Sequence, residues 1–192
     1  MTWTSSDRPR DHAYRLAARA LGVALLPGAW AVGRAQARHL ACQWALMARF
    51  PAEDLLGLTP GTHAAFSAAR TVAFWRDGVL IGLTSGYRDA ATQDSWFAEE
   101  VRRSGSVDAA RRLILPAARS RHVLGTALDV RPTEGARWLD AYGARFDLYR
   151  TYDNEWWHFE YRPEGRPRRL PTPAEHLADH LAERLAEHGG QQ

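Results

Sequence analysis

The run Thr126-Ala127-Leu128-Asp129-Val130 puts a carboxylate inside an otherwise apolar strand pattern, and that placement constrains the chain more than any other feature. Residues two apart share a strand face, so Leu128 and Val130 can enter a core while Ala127 and Asp129 point the other way. An aspartate in such a strand is unfavourable unless it is paired or bound to a metal. Gly125 ahead of it permits a tight turn or close backbone approach, and Pro132 ends the strand. The small Ala127 leaves room for something in front of Asp129.

Composition narrows what that something can be. The single cysteine, Cys42, excludes an internal disulfide framework and a Cys-rich zinc knuckle, so any metal must be held by histidine and carboxylate. All 25 basic residues are arginine, which excludes a catalytic lysine, a Schiff base and a Walker lysine. A net charge of +3 with 22 acids among the arginines gives no case for a nucleic-acid partner. A chain of 192 residues, 45% apolar and 24% charged, suits one medium globular domain with a core of its own, and a monomer is expected.

The front of the chain is unlike the rest. From His12 to Ala52 there is no acid, but there are five arginines (15, 19, 34, 38 and 49). Within it Ala20 to Gly33 is uncharged and ends in Pro27-Gly28-Ala29-Trp30-Ala31. Arginines, an apolar run, a helix breaker and an A-x-A triplet together resemble a secretory signal, so residues 1–31 are a candidate export or membrane-associated segment. The run itself is too short to span a bilayer. The alternative is two Ala-rich helices, 11–26 and 31–49, separated by Pro27-Gly28 and packed on the main domain.

After Phe50-Pro51 the pattern is that of a mixed fold. Thr59-Pro60 opens a helix whose apolar positions repeat at helical spacing until Gly78. Val79 to Thr84 reads as a strand ending in the turn Ser85-Gly86-Tyr87-Arg88. Asp89 caps a helix to about Arg103, and Ser106 caps a short one ending at Pro116. A loop over 119–125 leads into the Asp129 strand, Thr133 caps a helix to Tyr142, and Gly143 stops it. Phe146–Tyr152 and Trp156–Tyr161 read as strands joined at Asp153-Asn154. The order predicts an α+β fold: a small, mostly antiparallel sheet flanked by helices. The tail from Pro171 reads as an amphipathic helix opened by the capping box Thr172-Pro173-Ala174-Glu175. Its apolar stripe is Leu177, Leu181 and Leu185, and its His176 and His180 sit on a polar face as solvated residues rather than ligands. Three units result: 1–50, a helical or export segment; 51–165, the chemical domain; 166–192, the C-terminal helix.

Three segments place reactive side chains beside strand ends: Ser85-Gly86-Tyr87-Arg88 with Gln93, then Ser120 to Asp129, then Glu155-Trp156-Trp157-His158. Singly, His122 reads as a surface histidine, Asp129 as a strand-end cap and His158 as a buried hydrogen-bonded imidazole. Taken together, His122, Asp129 and His158 offer two nitrogens and one oxygen, which leaves a fourth tetrahedral position for water on a catalytic zinc. Glu155, at the start of its strand where the chain bends, is then available as a general base.

These segments resemble a known family. Ser120-Arg121-His122-Val123-Leu124-Gly125-Thr126-Ala127-Leu128-Asp129 fits S-x-H-x-x-G-x-A-x-D, Glu155-Trp156-Trp157-His158 fits E-x-W-H, and Ser85 to Arg88 with Gln93 fits S-G-Y-R…Q. The set is similar to the zinc D-alanyl-D-alanine peptidases: VanY-type carboxypeptidases, VanX-type dipeptidases and related phage endolysins. The likeness covers about Leu58 to Tyr161. It implies the D-Ala-D-Ala peptidase (hedgehog-like) zinc fold, a Zn2+ cofactor on His122, Asp129 and His158, and Glu155 as base. It further implies Arg88 facing the scissile carbonyl, Gln93 and Ser120 hydrogen-bonding the substrate carboxylate, and Tyr87 and Trp157 contributing to substrate binding.

The implied partner is a peptidoglycan stem peptide, and the implied location is extracytoplasmic, in the cell envelope. Trp156 stands where many carboxypeptidases of the family have proline, and there the dipeptidases are the better match. The short stretch between Asp129 and Glu155 leaves little room for a capping insertion, which predicts an open cleft and favours a carboxypeptidase. The competing readings are a cell-wall endopeptidase, a D-Ala-D-Ala dipeptidase and a non-catalytic zinc-containing binding module.

Overall fold

The computed structural model describes residues 9–175. A helical hairpin comes first: α1 (Pro9–Val32) and α2 (Ala37–Arg49). Then follow α3 (Pro60–Val72), continued by a π turn over Ala73–Asp77, and β1 (Gly82–Ser85). Next come α4 (Ala90–Ser104), α5 (Val107–Arg111), β2 (Ala127–Arg131), α6 (Thr133–Tyr142), β3 (Leu148–Arg150) and β4 (His158–Tyr161). The four strands form one sheet in the order β1-β2-β4-β3, and every pairing is antiparallel, as the α+β reading expects.

The sheet separates core from chemistry. Leu128 and Val130 of β2, Phe159 of β4, Leu148 of β3 and Ile81 and Leu83 face α3 and α6, where they close on Phe66, Ala69, Ala73, Trp138 and Leu139. Alternation then sends Ala127, Asp129, His158 and Glu160 to the opposite face. The α1–α2 hairpin lies behind α3, with Ala18, Cys42, Ala45 and Leu46 packed on Phe74 and Leu80.

Several local expectations change. α1 does not break at Pro27-Gly28; it runs on to Val32, and the chain turns at Gly33. Pro27 and Gly28 are exposed, while Ala29 is buried in a cluster with Leu25, Leu26, Ala37 and Ala41. Packing of that face sustains the helix across Pro27, which removes one main-chain hydrogen bond and crowds the carbonyl four residues back. Because helix extends on both sides of the uncharged run, the stretch Asp11–Val32 reaches 22 residues and is long and apolar enough to cross a membrane by length and composition.

Thr133 is the first residue of α6 rather than its cap, since Pro132 holds the cap position without a side-chain bond. Gly143 does end the α-helix after Tyr142, as its C-cap. The chain tightens into a 3-10 turn over Gly143–Phe146 and reverses at Asp147, whose φ of 55° is left-handed. β1 starts later than expected, the helix after Ser106 is only five residues long, and β3 and β4 are short. Residues 151–157 form a long connection between β3 and β4 in place of a tight turn. Residues 166–175, expected to begin the C-terminal unit, run beside that connection through a parallel bridge between Tyr152 and Leu170. The capping box forms at Thr172, whose N–H donates to Glu175 Oε2 at 3.0 Å. His176, His180 and the leucine stripe lie outside the described residues.

Candidate metal centre and active-site cleft

Strand register builds the centre. Asp129 of β2 is directly opposite His158 of β4, and Ala127 is opposite Glu160. Directly opposed side chains on one face sit about 5 Å apart at Cβ, and here His158 Nδ1 reaches Asp129 Oδ1 at 3.1 Å. The tight loop before β2 delivers the third group, with His122 Nε2 3.4 Å from Asp129 Oδ2. That loop needs Gly125: its φ is +67°, and a Cβ there would stand 2.4 Å from the Gly57 carbonyl. His122, Asp129 and His158 thus converge, with one ligand atom from each within 4.8 Å of the others.

Both imidazoles are oriented from behind. The His122 Nδ1–H donates to the Gly86 carbonyl at 2.6 Å, which leaves Nε2 as the free lone pair facing Asp129. The same strut is returned by Arg88 N–H, which donates to the His122 carbonyl at 3.3 Å. His158 turns Nδ1 to Asp129 and Nε2 to the wholly buried Glu160, 3.3 Å away. Glu160 is itself fixed by Arg162 at 2.5 Å and by the Thr151 hydroxyl at 3.3 Å. Two imidazoles, each with an outer partner, and one carboxylate form a donor set that fits a divalent metal of the zinc type.

Charge follows from this crowding. Burial alone would raise the Asp129 carboxyl, but His122 and His158 overcome it and hold it well below the usual range. Burial opposes the charge on His158, yet its hydrogen bonds to Asp129 and Glu160 lift the imidazole to about 10. A metal competes with that proton for the same lone pair. Burial pushes the Glu155 carboxyl up to about 7, against the pull of His158 and with the push of Asp129 and Glu160. Glu155 sits in the loop before β4, its Oε2 3.8 Å from His158 Nδ1.

A cleft of about 180 Å³ opens over the centre. Arg88, Gln93, Ser120, Glu155 and Trp157 line it together with the three converging residues. Arg88 donates to Gln93 Oε1 at 2.6 Å and to Ser85 Oγ at 3.0 Å, and its Nη2 lies 3.9 Å from Asp129. Its Nε is buried without a hydrogen-bond partner in the protein. Gln93 faces the cleft, but its amide is engaged at both ends, because Nε2 also donates to the Leu115 carbonyl at 2.5 Å. Its visible work is to hold Arg88. Ser120 is buried on the cleft wall.

Tyr87 is not on that wall. Its ring packs over Gly57, where a Cβ would come within 2.3 Å of it, and the strand-end turn carries it away from the centre. Three features were not anticipated. Glu160 repeats the face of His158 two residues on. Trp96 lines the cleft and stacks under the Arg88 guanidinium at 4.1 Å. Pro173, from the tail, lines the cleft as well.

An α+β sheet that carries such a donor set beside a buried carboxyl and an open cleft defines a metallopeptidase. The VanY family, D-alanyl-D-alanine carboxypeptidase, matches residues 62–164, over half of the chain, and the chain belongs to that family. No curated protein matches the sequence. Among solved structures, a mutant of the vancomycin-resistance D,D-pentapeptidase VanY from a VanB-type cassette, in complex with Zn(II), is 26% identical with a TM-score of 0.50. That match covers 57% of this chain and 76% of the other. VanYB in complex with D-alanine-D-alanine is 24% identical, with a TM-score of 0.50, over 54% of this chain and 71% of that one. The LdcB LD-carboxypeptidase is 20% identical, with a TM-score of 0.51, over 58% and 64%. The last two show the fold alone.

Proposed function

We propose that this chain is a zinc carboxypeptidase that removes the terminal D-alanine from peptidoglycan stem peptides ending in D-Ala-D-Ala. The observation that carries the reading is the convergence of His122, Asp129 and His158 beside Glu155, inside the span that the family matches. His122, Asp129 and His158 would hold the metal, which when bound acidifies water and draws negative charge from a carbonyl oxygen. Glu155 takes the proton of the attacking water and hands it to the departing amine nitrogen. The C–N bond breaks, and the peptide keeps a new carboxylate. Arg88, held by Gln93 and Ser85, turns a guanidinium toward the oxyanion or the substrate carboxylate. Ser120 and Trp157 form the surrounding wall.

Such a substrate places the enzyme on the outer side of the cytoplasmic membrane. The basic, acid-free front supports association with that membrane through α1, and the 51–165 unit is read as a monomeric catalytic domain. The test is mass spectrometry of products from a stem pentapeptide with a free or an amidated C-terminus. Loss of one alanine from the free form only, abolished by a chelator, is the expected result. Cleavage inside the amidated peptide would instead establish an endopeptidase.

A further inference from the structure

Glu155, the proposed base, is carried by neither a strand nor the short loop tied to Gly86. Residues 151–157 are a connection without regular structure, and a general base there needs its backbone held from outside. Two devices do so. The Arg150 guanidinium takes the carbonyls of the loop: Nε donates to Tyr152 O at 3.1 Å and Glu155 O at 3.2 Å, and Nη2 to Asp153 O at 2.8 Å. The amides of the same loop go to the tail. Asp153 N–H donates to Leu170 O at 2.9 Å, Asn154 N–H to Pro171 O at 3.2 Å, and Leu170 N–H returns a bond to Thr151 O at 2.9 Å.

The tail segment is anchored on its own account. Leu170 is buried, and the Thr172–Glu175 box closes the chain just after it. Asn154 Nδ2 donates to Arg112 O at 2.9 Å and ties the loop to the stretch before Leu113–Leu115, which shares the cleft wall with Pro173. The family match ends at residue 164, so this strap lies outside it.

We propose that Leu170 and Pro171 are positioning residues for Glu155, acting through the amides of Asp153 and Asn154, so that the tail is a working part of the active site. The proposal rests on the reading of Glu155 as general base. It assigns the strap no contact with the metal ligands, and so predicts a change in kcat with the metal still bound.

The full chain is compared with Leu170→Pro, which lacks the N–H to Thr151, and with Leu170→Ala, which keeps it. A chain ending at Arg169 removes both strap carbonyls, and a chain ending at Glu175 keeps them. Leu170→Pro and the shorter chain should lose kcat roughly 10- to 100-fold with KM within about threefold and one zinc retained. The chain ending at Glu175 should stay within about twofold of the full chain, and Leu170→Ala, which keeps the main-chain bonds but loses the buried anchor, should lose less kcat than Leu170→Pro. Amide exchange at Asp153 and Asn154 should quicken at least about tenfold in the shorter chain. The proposal is overturned if those amides exchange faster and kcat is unchanged, if they stay protected, or if kcat falls only together with bound zinc or the unfolding midpoint. A full chain that leaves D-Ala-D-Ala peptides intact sinks the proposed function instead, while amide exchange still decides whether the strap holds the loop.

Discussion

The two sides of the active site are held in different ways. On the sheet side, Asp129 and His158 meet because β2 and β4 are in register, and His122 is pinned to the backbone of Gly86. On the loop side, Glu155 stands in a seven-residue connection held by a guanidinium and by a strap from the tail. The difference separates two properties that catalysis needs together. In the proposed mechanism, sheet register fixes where the metal would sit, and the loop clamps fix where the proton would be taken. Damage to one side should leave the other readable.

The sharpest break should come on the sheet side. Glu160→Gln keeps the shape of the buried side chain but removes the carboxylate behind His158 Nε2. Metal affinity should fall about 10- to 100-fold, as for other outer partners of a ligating histidine, read by titration against a chromophoric chelator. Unchanged affinity would mean that register alone orients His158. On the loop side, Arg150→Met keeps the stem and removes three carbonyl contacts. It should lower kcat roughly tenfold with zinc stoichiometry intact, checked by steady-state kinetics beside metal analysis. Metal loss in this variant would erase the distinction between the two sides.

Two smaller effects mark the region behind both. Gly22 of α1 faces Phe74, and a Cβ there would come within 2.7 Å of the ring. Gly22→Val should destabilise by about 1–3 kcal/mol through overpacking, measured by urea unfolding, with kcat near wild type. Burial pushes the Cys42 thiol up to about 12, so it is almost wholly protonated at pH 8. A maleimide should leave it unmodified in the folded protein and label it fully in denaturant. Rapid labelling of the folded chain would show that the α1–α2 hairpin opens.

What was legible in the sequence follows the same division. Asp129, His122 and His158 are legible because a two-residue period and a glycine turn are local signals, and the α+β order follows from breakers and caps close at hand. Glu160 is as local, two residues beyond His158 on the same face, but a Glu in a charged tail of a strand resembles an ordinary surface residue until Arg162 and Thr151 are seen to enclose it. Arg150 and the Leu170 strap cannot be read locally, since their partners are backbone groups brought near by the return of the chain. The continuity of α1 across Pro27 is hidden for a related reason: the packing of Ala29 on α2 decides it. Tyr87 misleads because its neighbours in sequence do face the centre while the turn carries its ring to Gly57.

In the proposed mechanism Glu155 works as the base beside a metal held by His122, Asp129 and His158. The most direct test is mass spectrometry of a D-Ala-D-Ala stem pentapeptide incubated with zinc-loaded wild type and with Glu155→Gln, each assayed for bound zinc. Wild type should release a single D-alanine, Glu155→Gln should leave the peptide intact, and both should carry one zinc. Turnover by Glu155→Gln at near the wild-type rate, with zinc bound, would contradict that mechanism.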